Sequence, residues 1–438
     1  MNDFTASYRN LFLEGESGFP GFATPAIRSS RRASLQRFLE LGFPTQFLEN
    51  WKYTSVRALS RTLFKPPKSV CMGLVPEDLD AFLPESRYRP RLVFVNGFHV
   101  PSLSDLGKLP SGVRVVSMAR LANESPGEIT AALGREVVAE PGFTSWNQAF
   151  WPDGAFVRVS AGARLDAPLH LLFLTTPSRE AQAIQPWNRI VVEAEARLQL
   201  VESYVTLGMP PHLSNARTDL LMGRGARVDH LLRLDESTLT HHSGRMDIRQ
   251  EASSQLDSRL FCRGGALTRQ EVCLNLNGQG AACRLDGLFM AEGRQHMDFQ
   301  TRIHHQANAT RSRQLFKGVL DGESRGVFHG VIQVPPGVRD TESRQRSANL
   351  LLSDQAEIDT LPQLEIFNDA VQCAHGASVG HVDQEAMFYL RSRGLKESEA
   401  RRLLVEGFAE EVLQDLEPLS LRDWLRRQLG GLCHDDRS

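Results

Sequence analysis

A short pattern returns about every thirty residues through the middle of the chain. It reads "GARL" at Gly162–Leu165, "EARL" at Glu195–Leu198, "GARV" at Gly225–Val228, "SSQL" at Ser253–Leu256 and "AACRL" at Ala281–Leu285. The final apolar residues are 33, 30, 28 and 29 positions apart. From about residue 150 to 370 there is almost no helical period, and short β-favouring runs alternate with glycine-bearing turns. A strand-built repeat of this length predicts a β-solenoid, because one rung cannot bury its own apolar face and must stack on the next. "SRGVF" (Ser324–Phe328) and "QAEI" (Gln355–Ile358) continue the series less regularly. The competing architecture is a large β-sandwich in which the similarity is coincidental.

The flanks read as helices. "AIRSSRRASLQRFLELGFP" places Leu35, Phe38 and Leu39 on one face and stops at Gly42 and Pro44. "TQFLENWKYTSVRAL" follows as a short helical or turn segment, "KPPKS" (Lys65–Ser69) breaks the pattern, and "RLVFVNG" (Arg91–Gly97) predicts a buried strand entering an Asn-Gly turn. At the other end, "DQEAMFYLRSRG" starts at an Asp383 N-cap and ends at Gly394. The next segment carries a stripe of Ala400, Leu403, Leu404, Gly407, Phe408, Val412 and Leu416, closed by Pro418. "SLRDWLRRQLG" adds a last helix after a Ser420 N-cap. The expected organisation is a mostly helical region at 1–150, a solenoid core at 151–380 and a helical region at 381–438. The final helices either cap the solenoid's open end or present a docking face.

A formal net charge of −2 provides no global field for nucleic acid or anionic lipid. The start lacks a basic segment followed by an apolar core, and the longest apolar runs, such as Leu169–Leu174, are far too short to span a bilayer, so a cytoplasmic chain is expected. Cysteines at 71, 262, 273, 283, 373 and 433 are too scattered for a disulfide framework, and no C-x-x-C occurs. Phosphate-loop, nucleophile-elbow and H-E-x-x-H motifs are absent. The pairs His241–His242 and His304–His305 point to opposite faces of a strand and chelate poorly.

One pair stands apart. "NDAVQCAHG" predicts a strand ending in a turn, on which Cys373 and His375, two apart, project from the same face. Thiolate and imidazole both ligate iron, zinc or copper, and a neighbouring imidazolium activates a thiol. Two ligands do not complete a tetrahedral site, so any metal there needs donors from elsewhere. Spacing alone equally suits a buried thiol beside a hydrogen-bonded imidazole. These residues describe a non-enzymatic assembly subunit with no self-sufficient active site. A polysaccharide-cleaving solenoid is the rival, and it needs carboxylates clustered in an outer groove.

"SRQLFKGVLDGESRGVFHGVIQV", "NLLLSDQAEIDTLPQLEI" and "NDAVQCAHGASVGHVDQEAMFYLRSRGLKESEARRLLVEGF" resemble the SufB/SufD family of iron–sulfur cluster assembly proteins, densely from about Thr301 to Val412. "ENWKYTSVRAL" (Glu49–Leu59) and "CAHGASVG" are similar to the SufD branch, whereas SufB typically has Glu after that histidine. The resemblance implies a right-handed parallel β-helix between helical domains. It implies pairing with a SufB-like paralogue, with SufC-like ABC ATPases docked on the C-terminal helices through Leu403, Leu404, Phe408 and Val412. It also implies transient iron or a nascent cluster near His375 and Cys373 at the partner interface. Reduced flavin is associated with such complexes, although no flavin motif occurs here. The stretch "PPGVRDTESRQRSANLLLS" departs from the family pattern but keeps Thr341, Gln345 and Asn349. Cys262, Cys273 and Cys283 are expected inside the solenoid. A SufB-type homodimer holding a cluster by itself is the alternative within the family.

Overall fold

A computed structural model describes residues 3–67, 73–85, 88–131, 133, 142–416 and 419–429. Lys68–Ser69, Cys71, Pro418 and Cys433, all weighed above, lie outside the described residues. The helices are α1 (Asp3–Gly15), α2 (Pro25–Leu41), α3 (Met118–Glu124), α4 (Pro126–Thr130), α5 (Phe143–Phe150), α6 (Gln384–Ser392), α7 (Glu397–Leu413) and α8 (Leu419–Leu429). The first seven strands are β1 (Arg91–Val95), β2 (Phe98–His99), β3 (Val113–Ser117), β4 (Ala155–Val159), β5 (Arg164–Thr175), β6 (Gln182–Ile184) and β7 (Trp187–Val192). The next seven are β8 (Arg197–Thr206), β9 (His212–Met222), β10 (Arg227–Asp235), β11 (His241–Gln250), β12 (Gln255–Arg263), β13 (Leu267–Leu276) and β14 (Ala282–Ala291). The last are β15 (His296–His305), β16 (Arg311–Leu320), β17 (Arg325–Val334), β18 (Thr341–Leu351), β19 (Glu357–Ile366) and β20 (Val371–His381).

The strands form two long sheets. The first runs β2-β1-β5-β8-β10-β12-β14-β16-β18-β20, and the second runs β19-β17-β15-β13-β11-β9-β7-β4-β3, with β6 also on β9. Apart from β1–β2 and β3–β4, every pairing is parallel, as a solenoid requires. Both sheets begin before residue 150, since β1 pairs with β5 and β3 with β4. Asn96 and Gly97 both take positive φ in the β1–β2 hairpin, the conformation an Asn-Gly turn favours.

The recurring sequence pattern marks one corner of each rung. Gly162, Glu195, Gly225, Ser253, Gly280, Ala309 and Asp340 all have φ between 56° and 72°. Each donates its backbone N–H to the turn of the rung above: Glu195 to Arg224, Gly225 to Ala252, Ser253 to Gln279, Gly280 to Asn308, Ala309 to Arg339 and Asp340 to Ala370. Two residues after that turn the chain points outward, and three after it points inward. The inward column is Leu165, Leu198, Val228, Leu256, Cys283, Ser312, Ser343 and Cys373. The fifth repeat therefore aligns on "GAAC" (Gly280–Cys283), and Leu285 sits two positions beyond the place the sequence pattern suggests. Aromatic rings stack from rung to rung inside, Phe94 on Phe173 at 4.8 Å and Phe173 on Tyr204 at 4.7 Å.

The N-terminal segment is pinned to the outside of the second sheet. Tyr8, Phe12, Phe38, Trp146 and Phe150 form its core. The "ENWKYTS" stretch makes the attachment: the Trp51 ring lies 3.8 Å from the Arg269 guanidinium, and Thr54 Oγ1 donates to Asp298 at 2.5 Å. At the other end α7 and α8 lie on the outer face of the first sheet. Val405, Ala409, Val412, Leu413, Leu421, Trp424 and Leu425 cover Val201, Leu231, Phe261, Leu288, Met290, Leu315 and Val319. The helices thus cover a sheet face, and among the described residues no strand stacks on the last rung. Asp383 caps α6 by accepting from the Glu385 and Ala386 N–H groups. Ser420 does not act as a cap, because α8 already begins at Leu419.

Candidate functional site

The site sits where the stacking stops. β19 and β20 each pair on one side only, with β17 and β18, so among the described residues the last rung exposes two sheet edges. Cys373 occupies the inward position of the repeat in that rung, above Ser343, and His375 lies above Gln345. In earlier rungs this position is fully buried. With nothing stacked on it, Cys373 is half-buried and His375 exposed. The two project from the same face as the spacing predicts, but β20 continues through Gly376 to His381 rather than turning at that glycine. Burial raises the Cys373 thiol above its usual range, partly offset by a hydrogen bond with the Ser343 backbone.

Below the pair the interior turns polar. Ser343 and Ser312 hydroxyls meet at 2.6 Å, and His305 Nε2 lies 2.9 Å from the Ser312 hydroxyl. Gln345 Nε2 donates to Gln314 Oε1 at 2.9 Å, which also accepts from Thr301. Thr341, Gln345 and Asn349, the positions kept from the family pattern, are all buried in this layer. Burial holds the His305 imidazole neutral, pushing its pKa from 6.5 down to about 4, with His304 adding to the effect. The unfolded chain takes up this proton from about pH 6.5 downward and the folded one only near 4, so stability falls as pH falls across that window. Urea unfolding from pH 7 to 4 is therefore expected to show a shallower loss in His305→Gln than in wild type; parallel curves would refute it.

The ligand set is incomplete. Among the described residues no group of three or more His, Cys, Asp or Glu side chains is placed to hold a metal ion. Cys262 and Cys283 are buried inside as expected, but Cys273 faces outward from the second sheet, beside Glu271 and Asn275. His241 and His242 do point to opposite faces. His242 is consumed by a buried cluster that only rung-to-rung stacking reveals: Glu236 accepts from His242 Nδ1 at 2.7 Å, His212 Nε2 at 3.2 Å and Ser214. Against the upward push of burial, the two imidazoles hold the Glu236 carboxyl well below its usual range.

Of the four residues expected to dock a partner, Val412 is 1% exposed and packs into the chain's own core beneath α7. Phe408 is half-buried over Lys317, whose Nζ donates to the Phe408 carbonyl at 2.8 Å and pairs with Glu411 at 2.6 Å. Leu404 is half-buried and only Leu403 is exposed. The buried residues of α7 are Ala400, Val405, Ala409, Val412 and Leu413. Ala400, Val412 and Leu416 of the expected stripe are buried, whereas Val405, Ala409 and Leu413 take the place of Leu403, Leu404 and Phe408. Sequence reasoning missed the neighbouring α6, where Phe388 is 76% and Tyr389 56% exposed.

A groove of about 580 Å³ lies on the outer face of the first sheet and includes Asp166, Asp229 and Asp257. This is the feature the polysaccharide reading requires, although Arg259 already binds Asp257 at 2.9 Å. No Phe, Tyr or Trp side chain lines this groove, whereas the 280 Å³ pocket on the second sheet includes the imidazoles of His304 and His329.

A parallel solenoid whose last described rung is unpaired, and no three-residue metal-binding group among the described residues, fit a scaffold-type protein. Comparison with known proteins places it further. Residues 173–408 match the family model "SUF system FeS cluster assembly, SufBD core domain", and residues 2–171 match "SufBD protein N-terminal region". The chain belongs to the SufB/SufD family of iron–sulfur cluster assembly proteins. It is 31% identical to an iron–sulfur cluster assembly SufBD family protein of Synechocystis, over 95% of this chain and 93% of that one. It is also 31% identical to the iron–sulfur cluster assembly protein SufD of Escherichia coli K12, over 90% of each. To SufD of Bacillus subtilis it is 28% identical over 64% of each chain. No helix among the described residues is long and apolar enough to cross a membrane.

Proposed function

We propose that this chain is the SufD-type subunit of a cytoplasmic cluster-assembly complex. It joins a SufB-type paralogue through its open last rung, and SufC-type ATPases through α6 and α7. The observation that carries this reading is the unpaired final rung, which presents Cys373 and His375 as two donors of an otherwise missing set. Iron or a nascent cluster is the cargo: the two residues hold it together with thiolates of the paralogue. The neutral imidazole donates a nitrogen lone pair, and the Cys373 thiol releases its proton on binding. Sheet edges supply the pairing chemistry, because unpaired N–H and C=O groups add a strand from another chain.

The ATPase reading rests on Leu403 of α7, which grips the solenoid, and on Phe388 and Tyr389 of the neighbouring α6, all three exposed. The grip supports a mechanical role. Lys317 of β16 holds Phe408 and Glu411, and Arg259 of β12 donates to the Val412 carbonyl at 2.8 Å. A pull on α7 reaches those two strands directly and shifts the solenoid against its partner.

Co-expression of the tagged chain with its SufB- and SufC-type counterparts tests the reading. The expected product contains one paralogue and two ATPase copies per tagged chain. The double variant Leu403→Glu, Phe388→Ser is expected to lose the ATPase and keep the paralogue. Recovery of neither partner by wild type refutes the proposal. A stable cluster reconstituted on the isolated chain favours the SufB-type homodimer.

A further inference from the structure

The outward position of the repeat, next to the inward column, builds a charge ladder. Its members are Arg164, Arg197 and Arg227, in direct register on the adjacent strands β5, β8 and β10. All three are exposed, and all three line the 580 Å³ groove of the first sheet. Like charges directly opposite on neighbouring strands repel, and interleaving the signs along a column relieves that repulsion. This chain does so elsewhere. Three rungs on, Arg311 in the same column meets Glu342 at 3.8 Å, and on the second sheet Arg325 meets Glu357 at 3.7 Å. Within the groove no ion pair relieves the ladder. Asp257 is bound by Arg259 and reached by Arg284 at 3.8 Å. Asp229 accepts from Gln199 and feels Arg197 only as the weakest of its neighbours.

We propose that this groove binds a small ligand carrying two or more phosphate groups, with the three guanidiniums each taking phosphate oxygens. A planar fork of N–H donors suits phosphate, and a row of them one strand spacing apart suits a string of phosphates rather than a single one. Asp229, beside the row, accepts from hydroxyl groups of the same ligand. The chemistry fits both inorganic oligophosphate and a nucleoside polyphosphate. The proposal does not depend on how Cys373 and His375 act.

Titration calorimetry on the full-length chain tests it, with inorganic tripolyphosphate and ATP as probes. Wild type is expected to bind tripolyphosphate, more weakly at higher salt. Arg197→Gln is expected to weaken binding about tenfold, consistent with one lost charge-assisted contact. Arg311→Gln, in the same column outside the groove, is expected to bind as wild type does. Neither change should lower the melting temperature without ligand, since both side chains are exposed. If ATP binds more tightly than tripolyphosphate and Asp229→Asn removes the difference, the ligand is a nucleotide. Equal affinity with no effect of Asp229→Asn assigns inorganic oligophosphate. Absence of binding by wild type overturns the proposal, as does an Arg311→Gln loss matching that of Arg197→Gln. Preference for single-stranded RNA over both probes also overturns it, because the groove would then serve a polymer.

Discussion

In the co-expressed complex, His375→Ala is expected to leave subunit stoichiometry unchanged and to lower bound iron and acid-labile sulfide roughly tenfold. A site assembled from two chains that loses one nitrogen donor drops below the coordination it needs. The fold should tolerate the change. His375 is exposed in the isolated chain, and its neighbour Gln345 is held from below by Gln314. Cys373→Ser should likewise leave assembly unchanged and lower iron, since its side chain follows Ser312 and Ser343 in the inward column. His375→Cys replaces one donor by another and is expected to recover part of the iron. Normal iron content in His375→Ala would make the pair structural and leave the chain an architectural partner only.

The second large effect concerns stability. Arg269→Ala is expected to cost about 3–5 kcal/mol, read from urea unfolding, because it breaks a buried ion pair from one side. Arg269 is about 1% exposed, and it pairs with Asp298 and, at 2.5 Å, with Glu271. Its removal leaves Asp298 buried with only Thr54 and Gln300 donating to it. It also strips the Trp51 ring of its cation, so the N-terminal segment should become protease-sensitive before the solenoid unfolds. Trp51→Ala in the Arg269→Ala background should add less than it does alone, since the two share one contact. Additive losses would mean that the segment is held elsewhere.

The solenoid was legible because its period is enforced by geometry. Each rung needs one residue with positive φ and, three positions on, an inward side chain, and "GARL" or "EARL" is the trace of that requirement. The register slipped at Leu285 because the turn glycine, Gly280, stands before "AACRL", and because the inward residue there is a cysteine rather than an aliphatic. From that rung on the column carries Cys283, Ser312, Ser343 and Cys373, and a search for apolar residues loses it. The Cys373–His375 face was legible from strand alternation alone. Whether anything covers that face was not, since no rung among the described residues stacks on it. On α7 the expected stripe holds at its ends, where Ala400, Val412 and Leu416 are buried, and slips between them. Leu403 and Leu404 are the stronger hydrophobes, but the sheet beneath takes Val405 and Ala409, whose smaller side chains let the helix approach. The Trp51–Arg269 and Thr54–Asp298 contacts join residues more than two hundred positions apart, and nothing local announces them.

The two ends of the sheets are built differently. At the far end the first terminates in the two-residue β2 and the second in β3, which runs antiparallel and leads into α3. A body with a single adhesive end has a valence of one. End-to-end joining through the β19 and β20 edges therefore stops at two bodies, and no filament can propagate from it. One chain is thus the count expected at the edges that leave Cys373 and His375 uncovered.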